Sequence, residues 1–394
     1  MQGDFSSPLI SLALPLGSFH GWGICGKFLV KELSKLTKVI AITDTLKFEN
    51  INDELEYRFL KSKVINQEDY QKIKQSSAVQ LQNPLIQSIV GNTFVPLMPN
   101  LKGTINLGYT FFEENILSEE FINNARSYFD FIATGSSWNE KVLRNYGISN
   151  VKTVIQGIDP AFFNPYHSEK DFFTDAFVIF SGGKFELRKG QDLVIRAYKH
   201  LQDRFNDVML INCWQNFWLD SFNTMTVSRH IRFTPSGSSD TNAINQILID
   251  NGIDLKRVIT LPTTPNVMMA NVYKNTDIGL FPNRCEGGTN LVMMEYMACG
   301  KAVIASYNTG HEDILTESNS IRLLNMSELN ISRGNRLVAK WYEPSIDEII
   351  ANLEEAYYNR QALKPIAKQS ARDLSKKTWQ ASAKGFYNII INHN

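Results

Sequence analysis

Two stretches of the chain carry residue types that could act on one substrate. The first reads FSGGKFELRKG, from Phe180 to Gly190. A strand ends at Ser181, Gly182 and Gly183 follow, and Lys184, Arg188 and Lys189 crowd the loop ahead of a helix starting at Gln191. Cations beside a strand's carboxyl end and a helix start suit a diphosphate, because fixed charge and unpaired helix N–H groups both stabilise an anion. Taken alone, the stretch reads equally well as a solvated basic turn. The second reads FPNRCEGGTNLVMMEYMACG, from Phe281 to Gly300. A strand over Ile278–Phe281 runs into a glycine turn, and Thr289 or Asn290 can cap the helix that follows. In that arrangement the N–H groups of Gly287, Gly288, Thr289 and Asn290 point at an anion. Glu286 precedes the turn and Glu295 lies nine positions on, inside the helix. Open α/β sheets bind ligands at this end of their strands, and a carboxylate can accept from both vicinal hydroxyls of a ribose or hexose. Met293, Met294 and Met297 read as core.

A third candidate lies early. Gly21, Gly23 and Gly26 match GxGxxG between a strand and a helix, with Asp44 at the end of the next strand. By pattern this is a dinucleotide fingerprint, so an NAD-dependent oxidoreductase is one reading. Four residues, Gly17 to His20, separate the strand from Gly21, however, where a dinucleotide loop turns at once. The other readings are glycines that permit tight packing, or a glycine loop facing an interdomain cleft with His20 beside a substrate.

The elements that must position these residues alternate. Candidate strands run over Leu9–Leu16, Lys38–Thr43, Phe131–Thr134, Val151–Ile155, Phe177–Ser181, Asp207–Asn212, Val258–Leu261, Ile278–Phe281 and Ala302–Ala305. Helical patterns follow most of them, as over Lys27–Leu36, Trp138–Tyr146, Gln191–Leu201 and Leu291–Ala298. The alternation predicts an α/β fold with parallel sheets covered on both faces. A chain of 394 residues exceeds one ordinary core, so two domains are expected. The aperiodic GIDPAFFNPYHSEKD after Ile155 marks the linker. Ser221–Asn242 reads as a polar loop, and a helix is expected from Ile346 after Glu343, Pro344 and Ser345.

Composition excludes several classes. Forty basic and forty acidic residues cancel, which argues against nucleic acid as the main partner. The four cysteines, Cys25, Cys213, Cys285 and Cys299, form no CxxC pair, so neither a disulfide framework nor a zinc site is expected. No apolar run reaches 18 residues, and the amino terminus lacks a basic n-region. The expected location is cytoplasmic, with contact at a membrane surface left open.

At these residues the sequence resembles the family-four (group 1) glycosyltransferases of GT-B fold, over nearly its whole length. SGGKFELRKGQDLVIRA resembles their donor segment, with Lys184 where the family usually has Arg and Lys189 on the family's Lys. RCEGGTNLVMMEYMACGKAVIAS resembles their two-glutamate motif, with eight residues between Glu286 and Glu295 where the family has seven. FDFIATGSSWNEKVLRNYGISNVKTVIQGIDPAFFNP resembles the segment that closes the first domain. Trp341 and LSKKTWQASAKGFYNII resemble the C-terminal helices that cross back onto it. The resemblance implies two Rossmann-like domains facing a central cleft. The expected division is 1–156 on the acceptor side, a linker over 157–172, a nucleotide-sugar domain over 173–370, and a returning helix over 371–394. It implies a retaining transfer of sugar from a nucleoside-diphosphate sugar to a sugar or glycan acceptor, with neither cofactor nor metal. No DxD pair occurs in the chain. Catalytic roles fall to Lys184, Lys189 and Glu286. Donor binding falls to Gly182, Gly183, Gly287, Gly288, Thr289, Asn290 and Glu295. His20, Gly21, Gly23, Tyr109 and Glu113 are expected on the acceptor side. Where family members often carry a His late in the first domain, this chain has NLGYTFFEEN. A sugar-nucleotide-binding protein without turnover is the non-enzymatic reading.

Overall fold

Strands buried on both faces read as continuous apolar runs rather than alternating ones, and Phe177–Gly182 is buried along its whole length. The computed structural model describes residues 8–392. The chain forms two compact units, one up to Gly157 together with the stretch from Lys377, the other over Ile158–Lys376.

In the first unit, β1 (Leu9–Ala13), β2 (Lys38–Ala41), β3 (Leu85–Val90), β4 (Asn106–Thr110), β5 (Phe131–Thr134) and β6 (Val151–Thr153) form a parallel sheet in the order β2-β1-β3-β4-β5-β6. A short strand, Val95–Pro96, pairs antiparallel with β3. β3 was not expected, because its run LIQSIV is interrupted by polar residues. Both are buried: the Gln87 amide donates to the Leu101 carbonyl (3.1 Å) and accepts from Met98 N–H (3.2 Å). Helix α1 spans Gly21–Leu33, six residues earlier than the pattern from Lys27 suggests. The C-terminal helix Trp379–Ile391 belongs to this unit and packs along α1. The rings of Phe28 and Trp379 stack at 5.3 Å, and Ser382 Oγ donates to the Ile155 carbonyl at 2.6 Å. A Cβ at Gly157 would lie 2.0 Å from Trp379 N, so that approach requires glycine.

In the second unit, β7 (Phe177–Gly182), β8 (Val208–Cys213), β9 (Val258–Thr260), β10 (Ile278–Phe281), β11 (Ala302–Ser306) and β12 (Ile321–Leu323) are parallel, in the order β9-β8-β7-β10-β11-β12. This is the doubly wound arrangement, and its strand order reverses between β7 and β10. Helix α2 (Gln191–Arg204) follows β7, and α3 (Leu291–Ala298) follows β10. An antiparallel hairpin, Met326–Arg333 with Arg336–Pro344, follows β12, and Ser345 caps the helix Ile346–Tyr358. The expected loop over Ser221–Asn242 is partly helical: Leu219–Phe222 and Asn223–Val227 form short turns, and Thr241 opens a helix. Among the described residues no helix is long and apolar enough to cross a membrane.

Candidate active site

The loops that leave β7 and β10 meet at the switch point of the second sheet. After Gly182 the chain makes a tight turn over Leu187–Lys189, and Gly190, at φ +74°, passes it to α2. A Cβ on Gly190 would lie 2.2 Å from the Pro282 carbonyl oxygen. Only glycine therefore lets the β7 loop rest against the β10 loop. The two main chains are also joined, with Arg284 N–H donating to the Arg188 carbonyl at 2.8 Å. Gln191 secures the turn from the helix side, donating to the Lys184 carbonyl (2.7 Å) and accepting from Glu186 N–H (3.2 Å).

Glu286 lies at the centre of this junction and is buried. Its carboxylate pairs with the Lys189 ammonium, accepts from the Asn283 amide, and lies 3.1 Å from Arg188 Nη1. Burial pushes its pKa up, but Lys189 and Arg188 outweigh that and hold it at about 2, so Glu286 is ionised at neutral pH. Burial pulls Lys189 down while Glu286 opposes the shift. Arg188 also holds Glu186 at 2.6 Å. The basic loop is thus interleaved with two carboxylates, which the sequence reading did not foresee. Lys184 differs from the other two cations. Its side chain is 38% exposed, its ammonium lies 3.5 Å from Glu186, and it sits over the Trp218 ring at 4.9 Å. Gly182 ends the strand and Gly183 follows it at φ +107°, a left-handed backbone conformation that favours glycine although a Cβ there would meet the Lys189 stem only at an ordinary 3.7 Å.

Arg284 fastens the junction from inside. It is fully buried, forks onto Asp192 at 2.8 and 2.7 Å, reaches Glu343 at 2.8 Å, and donates to the Leu187 carbonyl at 2.6 Å. In the sequence neither Arg284 nor its partners is assigned a part in the site, and Glu343 enters only as part of a helix start. The partners lie 92 and 59 positions away, and no local spacing marks them.

The glycine turn is buried from Gly287 to Asn290. A Cβ on Gly310 would lie 1.6 Å from the Gly288 carbonyl oxygen, so the turn Thr309–Asp313 lies directly against it. Thr309 Oγ1 accepts from Glu286 N–H at 2.8 Å, and Thr289 Oγ1 donates to Met294 Sδ at 3.0 Å. Of the two possible caps, Asn290 is the one used: it adopts φ +59° and accepts from Met293 N–H. Its amide nitrogen lies 3.2 Å from His311 Nε2, and His311 Nδ1 lies 2.9 Å from the Ser306 carbonyl. A carbonyl only accepts, so Nδ1 carries the proton and Nε2 accepts from Asn290. Burial holds His311 at about 4, hence neutral at pH 7. Glu295 is buried inside α3, where it accepts from Asn266 Nδ2 at 2.8 Å and hydrogen-bonds the Tyr273 hydroxyl.

The first unit calls for two corrections. Gly21, Gly23 and Gly26 form no loop: all three lie in α1, and His20 is its cap, accepting from Gly23 N–H at 3.1 Å. Gly23 and Gly26 are packing glycines, since a Cβ on Gly26 would lie 2.0 Å from the Pro15 carbonyl oxygen and one on Gly23 3.0 Å from Gly17. Asp44 is exposed and occupied by Thr45 N–H and Gln67. A helical glycine run is not the turn a dinucleotide pyrophosphate requires, so this geometry removes the basis of the NAD reading. Second, Tyr109 is a core residue rather than an acceptor contact. It is fully buried among Trp22, Phe111 and Phe386, and its hydroxyl donates to the Val154 carbonyl at 3.0 Å. Glu113 lies half-buried in the loop after β4.

A junction of three cations, two ionised carboxylates and a buried glycine turn can hold a polyhydroxylated, doubly charged ligand. Residues 176–328 match the family described as Glycosyl transferases group 1. No curated protein matches the sequence. Among solved structures, sucrose-phosphate synthase from Thermosynechococcus elongatus superposes with a TM-score of 0.66 at 13% identity, covering 98% of each chain. HepE from Anabaena, crystallised with UDP and glucose, gives 0.64 at 14% identity over 98% of this chain and 100% of that one. The α,α-trehalose 6-phosphate synthase of Burkholderia multivorans gives 0.61 at 9% identity, covering 98% of each. The resemblance drawn from the sequence therefore holds: the chain has the GT-B fold, and its residues 176–328 match the group 1 glycosyltransferase family.

Proposed function

We propose that the protein is a retaining glycosyltransferase that moves a sugar from a nucleoside-diphosphate sugar to an acceptor hydroxyl. The observation that carries this reading is the meeting of Lys189 and Glu286 where the β7 and β10 loops converge. Lys184 and Lys189 take the diphosphate, whose charge grows as the bond to the anomeric carbon breaks. Cations already in place stabilise that charge with little reorganisation. Glu286, ionised and aligned by Asn283, accepts from hydroxyls of the transferred sugar. Glu295 takes the ribose hydroxyls. The departing phosphate oxygen receives the acceptor's proton on the same face, which gives retention and needs no enzyme nucleophile. Acceptor recognition falls to the first unit, around His20 and Glu113. A UDP-sugar is the favoured donor, on the likeness to HepE with its bound UDP and glucose. The leaving charge is met by lysine, so the reaction proceeds without metal and activity persists in EDTA. Restoration of a lost activity by Mg²⁺ would contradict this. The direct test is release of UDP from UDP-glucose in the presence of acceptor extract. Lys184→Ala and Lys189→Ala should each lower kcat more than they raise KM. Wild-type turnover in the double variant would place the clamp elsewhere.

A further inference from the structure

Asn266 opens the tight turn Asn266–Met268 after β9, yet its side chain is buried rather than solvated. Its amide nitrogen donates to Glu295 Oε1 at 2.8 Å. That bond fixes the amide's orientation, because the flipped form would set an oxygen against a carboxylate. The consequence is that Asn266 Oδ1 is buried without a hydrogen-bond partner. Buried acceptors are nearly always satisfied, and an orphan calls for a donor that arrives from outside the chain. Tyr273, seven residues on, also hydrogen-bonds Glu295. One stretch thus holds the carboxylate from two sides and leaves an acceptor beside it.

We propose that Asn266 is a further donor-binding residue, whose amide N–H groups orient Glu295 for one ribose hydroxyl while its Oδ1 accepts from the other. The inference rests on the ribose role given to Glu295 above. A cis-diol supplies two O–H donors on adjacent carbons, and the Glu295–Asn266 pair offers two adjoining acceptors. Deoxyribose lacks one donor and would leave Oδ1 orphaned, so the pair selects ribonucleotides.

Calorimetry on the full chain tests this with UDP, 2′-deoxy-UDP and 3′-deoxy-UDP, and with the GDP and ADP series if one of these binds instead. Asn266→Ala should weaken the ribonucleotide about tenfold, and change by less than about twofold the analogue lacking the hydroxyl that Asn266 meets. An equal loss for all three ligands would make Asn266 merely structural, and no loss would overturn the inference outright. Should the alanine variant lack the wild-type thermal transition, Asn266→Ser is read by the same criterion. Glu295→Gln is the second arm. If it leaves all three affinities unchanged, the ribose reading itself fails. If it discriminates among them while Asn266→Ala does not, only the present inference fails. A wild-type chain that binds none of the nucleotides overturns both.

Discussion

Both units place glycines after a strand at the carboxyl edge of a parallel sheet, and the glycines serve opposite ends. In the first unit, Gly23 and Gly26 let α1 lie on the loop after β1, and the space beyond fills with the rings of Trp22, Tyr109 and Phe111. In the second, Gly190 and Gly310 let three loops converge, and what they carry to the meeting point is Arg188, Lys189 and Glu286. The backbone device is the same in both. What the glycines bring together differs: the second unit gathers Arg188, Lys189 and Glu286 at one point, while the first closes over apolar rings and holds its buried Lys27 against Glu56 and Ser18. A glycine spacing therefore says that backbones approach closely, and only the side chains between the glycines say what the approach is for.

The largest effect should come from breaking the ion set of the second unit. Asp192→Ala takes from the fully buried Arg284 one of the two carboxylates, Asp192 and Glu343, that hold it. Removing one member of a buried pair typically costs about 3–5 kcal/mol. The urea transition of this variant should fall accordingly, while replacement of an apolar core residue by an isostere in the first unit should cost much less. An Asp192→Ala transition at the wild-type midpoint would mean that Arg284 does not fasten the junction. Next in size is Lys189→Ala. Loss of one preorganised donor to a developing anion lowers turnover by about 10²–10³, and Lys184→Ala, at the more exposed cation, should lower it less. Steady-state rates that reverse this order would shift the clamp toward the exposed lysine.

The same contrast has a pH signature. His311 is held at about 4 against an ordinary 6.5. Between those values the unfolded chain binds the proton and the folded chain does not, so stability rises with pH across that window. It is complete above 6.5 and is lost as pH falls toward 4, with a ceiling of about 3 kcal/mol. Glu286, held at about 2 against 4.5, adds a second loss below pH 4.5. Thermal midpoints between pH 7 and 4.5 should drop in the wild type and drop less in His311→Asn. Parallel curves would assign the acid loss to other groups.

Much of the second unit was legible because its central strands each carry an apolar run, FVIF, VMLI, IGLF and AVIA. Ile278–Phe281 and Leu291–Ala298 fall where the pattern sets them, since a buried strand and a helix capped by Asn290 both leave local marks. The first unit was less legible where polarity and burial part company. Leu85–Val90 hides because Gln87 is buried yet satisfied by Met98 and Leu101. Helix α1 hides its first turn because glycine is a poor helix former and was taken for a loop residue. At the site, the sequence displays the cations and carboxylates but not their pairing. Asp192 with Arg284, Asn266 with Glu295 and Asn290 with His311 are matched across 92, 29 and 21 positions, and tertiary packing alone makes those matches.

The smallest expected effect is the sharpest test of the comparison. Gly21 is the residue that gives the GxGxxG pattern its first position, and it is exposed at the start of α1. A Cβ there meets nothing within 4 Å, and its φ is not in the left-handed region. Nothing in the fold requires glycine at this point. Gly21→Ala should leave stability unchanged or raise it by up to about 1 kcal/mol, because alanine forms helix more readily and narrows the unfolded ensemble. Gly26→Ala must displace the Pro15 carbonyl and should be clearly destabilising. If the pattern held a dinucleotide pyrophosphate, the ranking would change: a side chain at the first glycine would block the close approach, and nucleotide affinity would fall with the fold intact. Urea transitions and UDP and NAD titrations on the two variants separate the cases. An unperturbed Gly21→Ala beside a destabilised Gly26→Ala confirms glycines chosen for packing, whereas lost nucleotide binding in a stable Gly21→Ala would return the first unit to the binding chemistry now assigned to the second.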